Sequence, residues 1–388
     1  MNYDLIIVGG GLAGLSLAVA LRRSRFRIAI VEAQPPVPPA GWDARIYAVS
    51  PANARFLDAA GIWQHLDAAR CAPVRKMSVH GDGDGELEFS AYASGVGELA
   101  WIVEAAQLQR ELWETARRQG NVDLFCPATP ARLDIGDREA VLELADRRVL
   151  TAKLIVAADG ADSWTRAAAG IDVDFLPYDQ LGVVANFATA RPHHDTARQW
   201  FRADGVLAWL PLPGNLISIV WSTPTAHAHE LLALDAQELC ARVAAAGDYA
   251  LGALQPVTPP AGFPLRLMRA PHTIAHRLAL IGDAAHTIHP LSGHGINLGF
   301  RDAQSLADVL TACPLHIDCG DAQFLRRHER ARREEVAALQ AVTHGLQRLF
   351  GGAPQARHAP VAALRNFGMN LFDRLPVIKD ALTRYAMG

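Results

Sequence analysis

The residues with the greatest chemical capacity lie late in the chain, at residues 280–303: L-I-G-D-A-A-H-T-I-H-P-L-S-G-H-G-I-N-L-G-F-R-D-A. A short apolar run stops at Gly282 and Asp283, and a loop follows that carries His286, His289, Pro290, Gly293, His294 and Gly295. From about Asn297, apolar residues recur at helical spacing (Leu298, Ala303, Leu306, Val309, Leu310). The pattern predicts strand, polar loop and helix N-terminus. Backbone N–H groups and a partial charge of roughly +0.5 e then converge on the loop, which suits an anion or an electron-rich ring. The three histidines invite a metal. Their spacing of three and five on a Pro/Gly loop, without a neighbouring Cys or Glu, is a poor zinc pattern, and no metal is expected.

Two earlier segments have the same design. Leu5, Ile6, Ile7 and Val8 form an apolar run that opens onto Gly9-Gly10-Gly11-Leu12-Ala13-Gly14 and a helix, and a second apolar run ends at Glu32, eighteen residues after Gly14. This is a complete dinucleotide pattern. Gly9 permits the tight turn, Gly11 the approach of a pyrophosphate and Gly14 the close helix–strand contact, while Glu32 is placed for the ribose hydroxyls. By itself it does not choose FAD over NAD. The third segment is the apolar run at residues 153–158, which ends at Asp159-Gly160 with Ser163 and Arg166 beyond. Arg45, in the loop after a Pro-rich stretch, is by its chemistry either a surface arginine or one facing the cofactor.

These segments need a scaffold, and the chain supplies one. With 388 residues, half of them apolar, it has room for two or three domains. Net charge of −3 and the absence of a basic stripe argue against nucleic acid. Five scattered cysteines, Cys71, Cys126, Cys240, Cys313 and Cys319, read as reduced thiols. The apolar N-terminus lacks a basic leader and carries Asp4, so it is not expected to be a signal peptide, and no run reaches the ~18–20 apolar residues of a membrane span. A soluble, cytoplasmic protein is expected, peripheral at most on the inner face of a membrane.

The first part reads as strands alternating with helices, with a hairpin over residues 77–92. From about Phe175 strand-like runs dominate, at residues 183–187, 199–201, 206–210 and 216–222, which predicts an antiparallel sheet. Trp200, Phe201, Trp209 and Trp221 are expected either to line an apolar pocket there or to fill the sheet's own core, with two of the four in each place. A strand at residues 264–269 is expected to return the chain to the first domain, and a basic helix is expected over residues 323–340.

Each of the three loaded segments ends an apolar strand, the edge where doubly wound sheets bind ligands. In this order and spacing they resemble the aromatic-ring flavoprotein monooxygenases of the p-hydroxybenzoate hydroxylase type. The stretch G-D-A-A-H-T-I-H-P-L-S-G-H-G-I-N-L-G-F-R-D and the tail at residues 364–388 are similar in particular to the ubiquinone-biosynthesis hydroxylases. The resemblance covers the chain from Tyr3 to its last residue. It implies an α/β fold with a Rossmann-like FAD-binding domain (residues 1–75, 100–174 and 265–345), an antiparallel-sheet substrate domain (76–99 and 175–264) and a C-terminal helical region (346–388).

For the site, the resemblance implies FAD held at its ADP half by Gly9, Gly11, Leu12, Ala13, Gly14 and Glu32, with Asp159 and Gly160 near the pyrophosphate. Gly282 and Asp283 would meet the ribityl chain. Arg45, Pro290, Gly293, His294, Gly295, Ile296 and Asn297 would border the flavin ring, and of these Arg45, Pro290, His294 and Asn297 form the reaction environment, with no side-chain nucleophile. His294 departs from the family's usual glutamine, which makes pH dependence near it an expectation. NAD(P)H or another reductant, O2 and an apolar phenol, polyprenylated in the subfamily, are the implied reactants. The amphipathic tail fits either contact with a membrane or a biosynthetic complex, or packing on the FAD domain; a homo-oligomer is compatible with it. Other readings of the same residues are hydroxylation of a different small aromatic, reduction of a prenyl chain, and a non-catalytic FAD-bearing subunit.

Overall fold

The computed structural model describes residues 1–81, 85–289, 293 and 295–350, with side chains to residue 345. Pro290, His294 and the tail at residues 351–388 lie outside the described residues. Elements are numbered in chain order.

The first sheet has eight strands, with β18-β19-β11-β1-β2-β8 as its main path. Strand β1 (Asn2–Val8) lies between β11 (Val149–Ala157) and β2 (Ile28–Val31), parallel to both, and β8 (Val122–Phe125) extends the sheet beyond β2. On the other side β11 pairs in parallel with β19 (Leu278–Leu280), and β18 (Ile274–Ala275) closes that edge. The antiparallel pair β9 (Pro130–Ile135) and β10 (Ala140–Leu144) is attached to β11. Leu5, Ile6 and Ile7 are fully buried, as strands covered on both faces require. One face packs on helices α1 (Leu12–Ala20), α3 (Ala105–Arg117) and α7 (Gly295–Thr311), through Leu15, Leu112, Phe300 and Leu306 among others. Parallel pairing thereby places three strand ends, those of β1, β11 and β19, side by side.

The second sheet has nine strands in the order β20-β17-β12-β15-β14-β13-β5-β6, with β20 (His286–Thr287) at one edge and β16 (Leu254–Pro256) attached to β12. The 16-residue β12 (Asp174–Thr189) pairs antiparallel with β15 (Leu216–Pro224) and with β17 (Ala261–Arg269). Strands β13 (Thr196–Arg202) and β14 (Gly205–Leu212) follow, and β5 (Lys76–His80) with β6 (Glu86–Ser90) makes the expected hairpin at the far edge. The run expected to return to the first domain is a strand, yet it stays in this second sheet along its whole length. A boundary at residue 265 therefore cuts β17. The cause is long-range: β12 offers a ladder partner to every residue from Ala261 to Leu265 and from Arg266 to Arg269, and nothing local in residues 261–269 reveals that.

Strand alternation decides where the large aromatics go. Trp200, Trp209 and Trp221 share one face of the second sheet and are buried beneath α5 (Thr225–Ala233) and α6 (Ala236–Ala246) with Leu231, Leu239 and Val243. Phe201 points to the opposite face but is buried with Val79 and Val206. The expectation that two of the four line a pocket is thus corrected, because the indoles fill the space between sheet and helices. The opposite face is mixed, with Ala208, Leu210 and Val220 half-buried and Asn186, Ser218 and Gln199 buried beside them. It leans on a third sheet, β3 (Ile46–Val49), β7 (Ala100–Glu104) and β4 (Ala72–Val74), where Leu210 and Leu212 meet Ile46, Ala48 and Ile102. Helix α2 (Pro51–Ala59), the short α4 (Trp164–Ala168) and the long α8 (Ala322–Phe350) complete the described elements, the last extending the expected basic helix.

Candidate cofactor and active site

The turn after β1 is built so that only glycine fits. A Cβ on Gly9 would lie 2.3 Å from the Ala158 carbonyl oxygen, and the backbone there has φ +110°. A Cβ on Gly14 would lie 2.3 Å from the Gly9 carbonyl oxygen, so α1 sits directly on the turn. Gly11 is different. It is the N-cap of α1, has no side-chain capping bond, and a Cβ there would meet nothing within 4 Å. The first N–H groups of α1, including those of Leu12 and Ala13, face open space, the arrangement that receives a phosphate. Glu32 closes this end, accepting from the N–H of Gly10 at 2.5 Å and of Gln34 at 3.1 Å. Gln109 of α3, not picked out by the sequence, donates to the Gly10 carbonyl at 3.3 Å.

The second segment is a brace. Asp159 accepts from Ser163 Oγ at 2.5 Å with one oxygen and from the Thr165 N–H and hydroxyl, both at 2.9 Å, with the other. Its carboxylate is spent on the cap of α4, so of the Asp159-Gly160 pair only Gly160 has room beside it, with no atom within 4 Å of a Cβ. Arg166, buried, donates to the carbonyls of Ala161 and Ala284, both at 2.9 Å, and ties this loop to the turn after β19.

That turn, Gly282–Ala284, is a single 3-10 turn with Gly282 at φ +60°. A Cβ on Gly282 would lie 2.9 Å from the Ala13 Cβ, which brings the starts of α1 and α7 to one place. Asp283 presents its carboxyl to open space and forms no hydrogen bond among the described residues. Protein nevertheless encloses it: burial and the charge of Asp302 raise its pKa, against His286, Arg45 and Arg266. Tyr47 on β3 has the same character, its pKa raised by burial with Arg45 and Asp283 both acting on it. Arg45 is exposed, and its charge acts on both Tyr47 and Asp283.

At the start of α7 a Cβ on Gly295 would meet nothing within 4 Å, and one on Gly293 would rest 3.5 Å from Ala48. The helix begins two residues earlier than the sequence suggests, so Gly295, Ile296 and Asn297 form its first turn. The Asn297 side chain is engaged elsewhere. Its amide donates to the carbonyls of Ala48 at 2.8 Å and Gly293 at 3.3 Å, and its oxygen accepts from the Ser50 N–H at 2.9 Å and Asn53 Nδ2 at 2.8 Å. Its side chain holds the loop; only its backbone faces the open end.

Two of the three histidines are accounted for. His286 is buried and donates from Nε2 to Asp302 at 2.7 Å. His289 donates from Nε2 to Gln180 at 3.1 Å, and burial lowers its pKa to about 4, so its ring is neutral near pH 7. Asp302, Asn53, Tyr47 and Arg332 are site residues that sequence reasoning missed. A signal existed for Asp302 alone: it is a carboxylate on the apolar stripe of α7, between Leu298 and Leu306.

Open space beside Gly11, Gly160 and Gly295, the start of α1 without a side-chain cap, and an Asp283 carboxyl with no hydrogen bond among the described residues fit a flavin dinucleotide laid from Glu32 to α7. Fold and site define a flavin-dependent oxidoreductase. A family model for the FAD binding domain matches residues 2–341. The chain is 35% identical to a ubiquinone hydroxylase, UbiL, of Rhodospirillum rubrum, over 99% of this chain and 89% of the relative. It is 32% identical to the 3-demethoxyubiquinol 3-hydroxylase of Escherichia coli, over 99% and 98%. In fold it is similar to p-nitrophenol 4-monooxygenase PnpA of Pseudomonas putida, with a TM-score of 0.80 at 19% identity over 100% and 99% of the two chains. The chain belongs to the FAD-dependent monooxygenases, in the family of the ubiquinone-biosynthesis hydroxylases.

Proposed function

We propose that this enzyme hydroxylates the aromatic ring of a polyprenylated phenol on the way to ubiquinone, with NAD(P)H or another reductant and O2 as co-substrates. The observation that carries the reading is a junction between a helix start and the second sheet. The start of α7 is joined to the half-buried Leu210 through Ala48, which would lie 3.5 Å from a Cβ on Gly293 and packs in the cluster that holds Leu210. Two relatives are named a ubiquinone hydroxylase and a 3-demethoxyubiquinol 3-hydroxylase, and the half-buried aliphatic side chains suit a prenylated substrate.

When bound, FAD supplies the oxygen-activating chemistry that places a hydroxyl on an electron-rich ring. The residues supply position and environment. The N–H groups of Leu12 and Ala13 would hold the pyrophosphate, Glu32 would accept from the adenosine ribose, and Asp283 would accept from the ribityl hydroxyls. The first turn of α7 would stabilise negative charge on the ring by about 0.3–1 kcal/mol. Ala208, Leu210 and Val220 would exclude water from it. His289 holds its Nε2 proton on Gln180 and stays neutral near pH 7.

Among the described residues no helix is long and apolar enough to cross a membrane. The test is an intermediate profile of the quinone pathway in a deletion strain, with oxygen consumption by the purified flavoprotein on the compound that accumulates. Hydroxylation coupled to O2 uptake supports the reading. Normal quinone levels in the deletion strain overturn it, and anaerobic turnover of a prenyl chain replaces it with reduction.

A further inference from the structure

Behind the Gly282–Asp283 turn runs a buried chain of charges that ends on α8. One oxygen of Asp302 accepts from the Gly282 N–H at 3.0 Å and from His286 Nε2 at 2.7 Å. The other accepts from Arg332 Nε of α8 at 2.8 Å. Arg332 also pairs with Glu335, which in turn meets Arg301. Asp302 is 2% exposed and Arg332 8%. The chain holds three carboxylates (Asp283, Asp302, Glu335) against three basic side chains (His286, Arg301, Arg332). Helix α8 grips the same segment again further along, where Gln340 Nε2 donates to the carbonyls of Met268 at 2.9 Å and Thr287 at 3.3 Å.

We propose that Arg332 is a positioning residue for the flavin: through Asp302 it fixes the Gly282–Asp283 turn and the His286 ring behind it, so that α8 sets how tightly FAD is held and the potential at which it is reduced. The inference rests on FAD binding and is independent of the substrate. A buried carboxylate persists only while its lone pairs are matched. Asp302 has three donors on two oxygens, and the Arg332 guanidinium is the one with a permanent charge. Without it, Asp302 is left facing His286 alone from β20 (His286–Thr287), with the neutral His328 of α8 nearby. The carboxylate then takes up a proton or turns, and the Gly282 N–H loses its acceptor. Asp283 moves with Gly282, because the two are adjacent in a one-turn element.

Charge supports the geometry. Burial opposes ionisation of Asp302, yet His286, Arg332 and His328 hold its pKa far below the ordinary carboxylate range. Burial likewise opposes a charged His286, and Asp302 outweighs it and raises the ring's pKa. Asp283 thus faces the cations of His286, Arg45 and Arg266 and the anion of Asp302. A shift in any of these reaches the flavin as a change of field.

The experiment uses the full chain with FAD. Arg332→Met, Arg332→Lys and His286→Gln are compared with the wild type for FAD dissociation constant, flavin midpoint potential and the thermal midpoint of the apoprotein. Arg332→Met is expected to weaken FAD binding about tenfold or more, since it removes a charge-assisted hydrogen bond, and to shift the midpoint potential. Arg332→Lys recovers most of both. His286→Gln keeps an N–H donor for Asp302 but removes the cation, so the potential moves more than the affinity. Wild-type affinity and potential in Arg332→Met overturn the proposal, as does a lower apoprotein midpoint alone, which would assign Arg332 to packing. Should Arg332→Met fail to fold, a wild-type midpoint potential in His286→Gln overturns it equally.

Discussion

Asn53 and Asn297, 244 residues apart, are joined by a hydrogen bond of 2.8 Å between fully buried side-chain amides. The same Asn53 amide reaches the Asn297 carbonyl at 3.2 Å and Ser50 Oγ at 3.1 Å. Through this contact α2 and the end of β3 are registered against the first turn of α7, which carries the flavin-facing N–H groups. The Arg45 loop and α7 are therefore one rigid wall of the cleft, although the sequence places them at opposite ends of the chain.

Replacing Asn297 with Asp tests that wall. The amide faces the carbonyls of Ala48 and Gly293 as a donor, and a carboxylate there would set acceptor against acceptor in a dry site. Asn297→Asp is expected to cost about 2–4 kcal/mol of stability and to release FAD, measured by urea unfolding and flavin fluorescence. The damage arises from the lost clamp, so a variant with wild-type stability and only slower flavin reduction would contradict this account.

The cofactor turn was legible because its glycines recur at a fixed spacing. Gly14 is demanded by the Gly9 carbonyl five residues before it, whereas Gly9 is demanded by the distant Ala158 carbonyl just past β11, and the spacing reveals both. The same holds for the strand endings at Asp159 and Gly282. Asp159 itself was legible only as a place: its carboxylate goes to Ser163 and Thr165, a local cap that competes with any ligand role. What spacing cannot reveal is which face of a sheet looks inward. Trp209 and Leu210 are neighbours on β14, and alternation says only that they point apart. Helices α5 and α6, contributed from residues 225–246, take the Trp209 face for packing. The Asp302–Arg332 pair was hidden for the same reason, since it joins two helices through a contact thirty residues apart.

Acid should destabilise the fold through two histidines. Burial lowers the pKa of both His289 and His328 to about 4, against the model-peptide value of about 6.5. A base with a depressed pKa is held neutral by the fold. Its stabilisation is complete above about pH 6.5 and is lost as pH falls towards about 4. His286 acts with the opposite sign, since its raised pKa gives stability that is complete below about pH 6.5 and is lost as pH rises through the folded value. The thermal midpoint should therefore pass through a maximum near neutrality. His328→Gln, which keeps a partner for Ser305 Oγ, should flatten the acid limb only; an acid limb identical to the wild type would refute the assignment.

Gly11 offers a separation of cofactor binding from folding. Its φ of −77° suits any residue, and a side chain there would meet no protein atom within 4 Å. Gly9 is the contrast, since a Cβ there strikes the Ala158 carbonyl. Gly9→Ala should unfold the chain or prevent its expression. Gly11→Val should leave the apoprotein's thermal midpoint unchanged, because the space it fills belongs to the ligand. Its FAD affinity should fall by about a hundredfold or more, since the branched side chain displaces the pyrophosphate from the start of α1 and forfeits several hydrogen bonds to a charged group. Differential scanning fluorimetry of the apoprotein and equilibrium dialysis against FAD read the two effects apart. If Gly11→Val binds FAD normally, the pyrophosphate does not lie at the start of α1, and the assignment of the Glu32 end of the site falls with it.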